Sequence, residues 1–171
     1  MRGIPCCSMG ASTGFLAVPW AQARVERVTV AVHGMPCPFC AFGVEKKLKG
    51  VKGVGSVTVN LKPGSATLSA REGASINVGQ VPGAIKAAGF TQGAIVGTTT
   101  GIIKMADSWK LVLSMFRSRQ RFILVDMKKE MKNRLETLSK TGAQVKVTGT
   151  FQKKGDALLA LRPEKVEEVP Q

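Results

Sequence analysis

Val28, Val30 and Val32 alternate with Thr29, Ala31 and His33. A period of two buries one face of a strand and wets the other. After this run the rhythm changes, because Ala41, Val44 and Leu48 recur at helical spacing while Glu45, Lys46 and Lys49 fall off that stripe. The pattern predicts a helix from about Pro38 to Lys49, stopped by Gly50. Val57, Val59 and Leu61 alternate next, Lys62-Pro63-Gly64 is a turn signal, and Ala66 and Leu68 resume the alternation, which together predict a hairpin. A second helix has Val81, Ile85 and Ala88 on one face and ends at Gly89, and the stretch after Phe90, with Ala94 and Val96, reads as another strand. The resulting order over residues 25 to about 96, βαββαβ, is the split-βαβ, ferredoxin-like arrangement.

The rest of the chain has its own pattern. Trp109, Leu111, Leu113 and Met115 alternate, Arg121 to Val125 is a short β-rich run, and Met127, Met131, Leu135 and Leu138 form one helical stripe ending at Gly142. Val145 with Val147, and Leu158 to Leu161, read as two more strands. If Ile95 to Met105 supplies a first strand, the order is three strands, a helix and two strands, which is similar to a small OB-type β-barrel with one helix. Gly93 to Ile103 contains no proline, charge run or clear linker, so the sequence does not mark the boundary there; a shared or continuous strand between the two units would explain it. Pro163 to Gln171 holds two prolines and four charged side chains and reads as a frayed tail. The expected class is therefore α+β, with one domain over 24–98, a second over 99–165 and a tail over 166–171.

The amino-terminal stretch has the pattern of a processing signal. Arg2 gives a positive start, residues 4–20 are mostly apolar or small, and Ala21-Gln22-Ala23 is an A-x-A cleavage site. Residues 1–23 are accordingly expected to be a signal peptide and the protein to be exported, periplasmic in a bacterium, or cytoplasmic if the segment is not a signal. Cleavage would remove Cys6 and Cys7 and leave Cys37 and Cys40 as the mature chain's thiols. No other apolar run reaches the length of about 18 residues that a spanning helix requires, so the chain is not expected to span a membrane.

Charge alone suggests a nucleic-acid partner, because 25 Lys and Arg against 11 Asp and Glu give +14. The excess is spread evenly, however: residues 24–100 carry +6 and residues 101–171 carry +7. Aromatic residues make up 5% of the chain and Tyr is absent, so platforms for base stacking are scarce. One His permits no Ser-His-acid set, and no paired carboxylates or Gly-rich phosphate loop stand out; catalysis is not expected.

The chemistry concentrates in Val32-His33-Gly34-Met35-Pro36-Cys37-Pro38-Phe39-Cys40, between the first strand and the first helix. At C-x-x-C spacing one thiol sits in the loop and the second in the opening turn of the helix, so both can close on one ion. Thiolates select soft metals, and a helix N-terminus lowers thiol pKa values and favours the deprotonated ligand. Two sulfurs suit a near-linear ion, Cu(I) or Hg(II), ahead of Zn(II) or Cd(II), since a structural zinc site takes four ligands and a second C-x-x-C is absent.

Gly34-Met35-x-Cys37-x-x-Cys40, Val44-Glu45-x-x-Leu48, Gly53-Val54, the Val-x-Val strand, Pro63-Gly64 and Ala87-Ala88-Gly89-Phe90 together resemble the heavy-metal-associated domain over about 70 residues. The resemblance implies that Cys37 and Cys40 bind Cu(I), Hg(II), Zn(II) or Cd(II) in a transport, chaperone or detoxification protein whose partner is a metal transporter or metal-ATPase. Pro36 stands where the family commonly has Thr or Ser, and Pro38 stiffens the loop.

Two other uses of the chain compete with this one. Cys37-Pro38-Phe39-Cys40 resembles the Cys-Pro-Tyr-Cys of glutaredoxins, but a thiol-disulfide protein of that type needs a second βα unit where this chain places a hairpin. A third reading makes the carboxy-terminal unit a nucleic-acid-binding or adaptor barrel, with Trp109 and Phe122 between the charges of Lys128, Lys129, Lys132, Arg134 and Lys140. Around the thiols, Met35 is expected to tuck under the loop, His33 to face solvent, Phe90 to shield the site or pack in the core, and Lys46, Lys47, Lys49 and Lys52 to form a solvated face or a docking surface for an acidic partner. Met127 and Met131 are expected in the core.

Overall fold

The alternation of Val28, Val30 and Val32 becomes β1 (Val25–His33), with those valines buried beneath two helices and Thr29 and Ala31 half-exposed on the opposite face. The computed structural model describes residues 24–106, 110–115, 120–154 and 158–169. The proposed signal segment with Cys6, Cys7 and Ala21-Gln22-Ala23, and Trp109, lie outside the described residues.

After β1 come α1 (Pro38–Lys49), β2 (Val54–Asn60), β3 (Ser65–Ala70), a 3-10 turn at Val78–Gln80, α2 (Val81–Ala87) and β4 (Thr91–Ala106). The sheet order is β2-β3-β1-β4 with antiparallel neighbours throughout, a ferredoxin-like unit. Val44 and Leu48 of α1, and Val81 and Ile85 of α2, are the buried stripes that hold the helices to the sheet.

The second unit comprises β5 (Lys110–Ser114), β6 (Arg121–Leu124), α3 (Lys129–Thr141), β7 (Gln144–Lys154) and β8 (Leu158–Glu168). Strands pair in the order β4-β5-β6-β8-β7, and β7 returns to β4, which closes a five-stranded barrel. The β6–β8 pair is parallel and α3 lies between β6 and β7 in sequence, the connectivity of an OB-type barrel. Phe122 fills the interior against Phe151, with ring centroids 5.1 Å apart. No helix among the described residues is long and apolar enough to cross a membrane.

β4 belongs to both units. Residues 91–99 pair with β1, residues 95–102 with β7 on the other edge, and residues 102–106 with β5. The strand therefore runs straight through the expected division between residues 98 and 99. Its phase also differs from the reading based on Ala94 and Val96: Ile95, Gly97, Thr99, Gly101 and Ile103 face the interior, whereas Ala94 is exposed and Val96 half-exposed. Between the two isoleucines, Gly97, Thr99 and Gly101 keep that face small where neighbours crowd the strand. A Cβ on Gly97 would lie 2.7 Å from both the Arg27 carbonyl oxygen and the Phe151 ring.

The expected tail is a second correction. β8 continues to Glu168, and its register with β7 runs from Leu158 opposite Lys154 to Glu168 opposite Val145. Pro163 is tolerated because it lies opposite Gly149, where the register shifts, and proline in a sheet is at home at such bulges. The charged side chains of β8 stay exposed on the strand and form surface pairs: Arg134 with Glu168 at 3.3 Å, and Lys165 with Glu167 at 2.5 Å.

The buried residues of the two units form one contiguous cluster. Outside the shared strand, Ser75 Oγ donates to Met115 Sδ (3.7 Å) and accepts from the Val25 amide (3.1 Å), while Gln120 Nε2 donates to the Ile76 carbonyl (3.1 Å). The barrel is thus a packed attachment to the ferredoxin-like unit.

Candidate metal centre

Three connections meet at one end of the ferredoxin-like unit. The first runs from His33, at the end of β1, to Pro38. The second is the β2–β3 turn, fastened there by the Val32 amide donating to the Gly64 carbonyl at 2.7 Å. The third joins α2 to β4, whose first residue, Thr91, pairs with His33.

Cys37 is the N-cap of α1, with extended backbone angles (φ −138°, ψ 156°) and Pro38 immediately inside the helix. Proline fits that position because its missing N–H would have no intrahelical partner in any case. The Cys37 carbonyl accepts from the Cys40 and Ala41 amides at 3.1 and 3.3 Å, and its Sγ accepts from the Cys40 amide at 3.4 Å. The helix start therefore directs the Cys40 N–H at the first sulfur and carries the second one turn further on. The two Cα atoms are 5.3 Å apart and the sulfurs are joined as a disulfide. Both residues are half-buried.

Among the described residues no group of three or more His, Cys, Asp or Glu side chains is gathered as a metal-ligand cluster. The cysteine pair is accordingly a two-sulfur donor set once reduced. A metal ion and the disulfide exclude each other, because the S–S bond uses the electrons that would bind the ion.

The surrounding residues divide between core and solvent. Met35 is half-buried and packs against the hydrophobic core, as does Phe90. His33 is exposed, as are Lys46, Lys47, Lys49 and Lys52. Met127 and Met131 pack on the barrel core, and Phe122 is fully buried, which removes it as a stacking platform for bases. Sequence reasoning missed the exposure of Phe39 (88%) and Phe42 (68%), the most exposed large apolar side chains among the described residues. Their absence from the Ala41, Val44, Leu48 stripe was the available signal.

The heavy-metal-associated domain family matches residues 29–91. The chain is 30% identical over 80 residues to the mercuric reductase of Shewanella putrefaciens, covering 47% of this chain and 14% of that enzyme. The chain thus spans about one seventh of the length of that curated relative. Among solved structures it is similar to the CopZ metallochaperone (29% identity, 40% of this chain and 100% of that one, TM-score 0.37). It is also similar to oxidized MerP from Ralstonia metallidurans CH34 (28%, 40% and 94%, 0.36) and to a copper binding domain from HMA7, a P-type ATPase (28%, 40% and 90%, 0.36).

Proposed function

We propose that this chain, whose residues 29–91 are a heavy-metal-associated domain, carries one soft ion, Cu(I) or Hg(II), between Cys37 and Cys40 and passes it on by thiolate exchange. The observation that carries the reading is the geometry of the pair: two cysteines with Cα atoms 5.3 Å apart at a helix N-terminus, half-exposed, with no cluster of further ligands among the described residues. Two-sulfur coordination leaves room for a third sulfur, so an incoming thiolate can add before an original one leaves. Transfer then proceeds without a free ion. Loading starts from the reduced pair, reached when an external dithiol gives the disulfide two electrons and two protons and is itself oxidised to a disulfide, and the ion displaces the thiol protons as it binds. The recipient or donor in this reading is a metal transporter or metal-ATPase, and the protein works after export.

Titration of the full chain with Hg(II), and anaerobically with Cu(I), tests the assignment. Reduced protein binds one ion per chain tightly, whereas the disulfide form and Cys37→Ser do not; equal affinity in the oxidised form would remove the site. Competition between the two ions separates mercury from copper.

The disulfide itself favours a second reading, in which Cys37 and Cys40 exchange electrons with a partner thiol. Catalytic turnover in a glutathione-coupled reduction assay would support that role, and its absence alongside tight metal binding would reject it.

A further inference from the structure

Phe39 and Phe42 stand on the side of α1 opposite its buried stripe of Val44 and Leu48, and Lys46 continues the same outward face at i+7 from Phe39. At the same end of the unit the β2–β3 turn presents Leu61, 39% exposed, followed by the exposed Lys62. The end of α2 adds the exposed Lys86. Among the described residues, three of the four exposed large hydrophobic side chains are thus at the thiol end, set among lysines. α1, the β2–β3 turn and α2 contain a single carboxylate, Glu45, and Lys49 holds it at 2.6 Å.

We infer that this end of the molecule docks on an anionic phospholipid bilayer, with Phe39, Phe42 and Leu61 entering the headgroup–acyl boundary and Lys46, Lys62 and Lys86 lying at the phosphates. Charge complementarity and the chemistry of the patch select a lipid surface over an acidic protein. All of its cations are Lys, a residue depleted in protein–protein interfaces, where Arg, Tyr and Trp dominate, but well suited to the diffuse charge of a lipid surface. The aromatic residues are Phe without a polar tip, standing out from the surface. Apolar insertion plus a few basic side chains gives reversible attachment, neither alone being enough. The surface needs no bound metal, so the inference goes beyond metal binding and stands or falls separately from it. If both hold, the cysteine loop faces the membrane.

Co-sedimentation of the metal-free full chain with vesicles tests this. Partitioning is expected on phosphatidylcholine vesicles containing phosphatidylglycerol and to be weak on phosphatidylcholine alone. Phe39→Ser with Phe42→Ser lowers partitioning about tenfold or more, and Lys46→Gln with Lys62→Gln lowers it severalfold, while circular dichroism stays unchanged. Phe42→Ser alone, outside the Cys37–Cys40 loop, keeps metal binding and still loses partitioning, which separates the two readings. Absence of binding to anionic vesicles, or binding that ignores the phenylalanine substitutions, overturns the inference; the second result would assign vesicle binding to net charge alone.

Discussion

Cys37 serves two purposes through one atom. Its sulfur is half of the donor pair, and it also accepts the Cys40 amide as the N-cap of α1. Serine is a good N-cap whose hydroxyl can take over that hydrogen bond, whereas alanine leaves the amide only its bond to the Cys37 carbonyl. Against the reduced wild type, Cys37→Ser should therefore keep its stability within about 0.5 kcal/mol while losing the ion, and Cys37→Ala should lose about 1 kcal/mol as well. Urea unfolding of all three proteins under reducing conditions checks the difference. An Ala variant as stable as wild type would mean that the sulfur contributes nothing to the helix start.

Among the elements, α3 shows most plainly how the chain encodes a boundary. Leu135 and Leu138 are buried, and Gly142 ends the helix at φ 66°, in the left-handed conformation that a side chain disfavours. Gly142→Ala should cost about 1 kcal/mol, and Leu135→Ala roughly 2–5 kcal/mol because it also opens a cavity. Denaturant midpoints of the two variants test that ratio. This helix, β1, α1 and the first hairpin were readable in the sequence because their buried positions are large and apolar and their ends carry glycine or proline. β4 was readable as a strand, but its phase was not, since Gly97, Thr99 and Gly101 offer no apolar contrast to Ala94 and Val96. The end of β8 was hidden for the opposite reason: Glu164, Lys165, Glu167 and Glu168 look like a solvated tail, and the pairing that orders them belongs to β7, more than ten residues away in sequence. The cysteine pair was legible as a motif. Its disulfide, and the contacts of Ser75 and Gln120 with the other unit, depend on tertiary approach that no local pattern records.

At the scale of the molecule, the shared β4 changes what a domain means here. β1 and β7 flank the same stretch of β4, from Ile95 to Thr99, so neither unit can lose that strand without exposing backbone groups of the other. The core is contiguous across the junction, and Gln120 and Met115 of the barrel bond to Ile76 and Ser75 of the ferredoxin-like unit. These features predict one cooperative transition in place of two. Phe122, far from the cysteines in the barrel interior, provides the means of testing it, because Phe122→Ala should cost about 3–5 kcal/mol. If the units unfold together, that loss reappears as a fall of about a hundredfold or more in the hydrogen-exchange protection of β1 amides such as Val28 and Val30. If the ferredoxin-like unit opens independently, those amides keep wild-type protection and only β5 to β8 exchange faster. Exchange followed by mass spectrometry on the reduced protein, with wild type alongside, decides between them. Loss of protection in β1 would mean that substitutions in the barrel reach the cysteine loop through stability, and reduced metal retention in such variants would then not require a barrel residue to touch the ion.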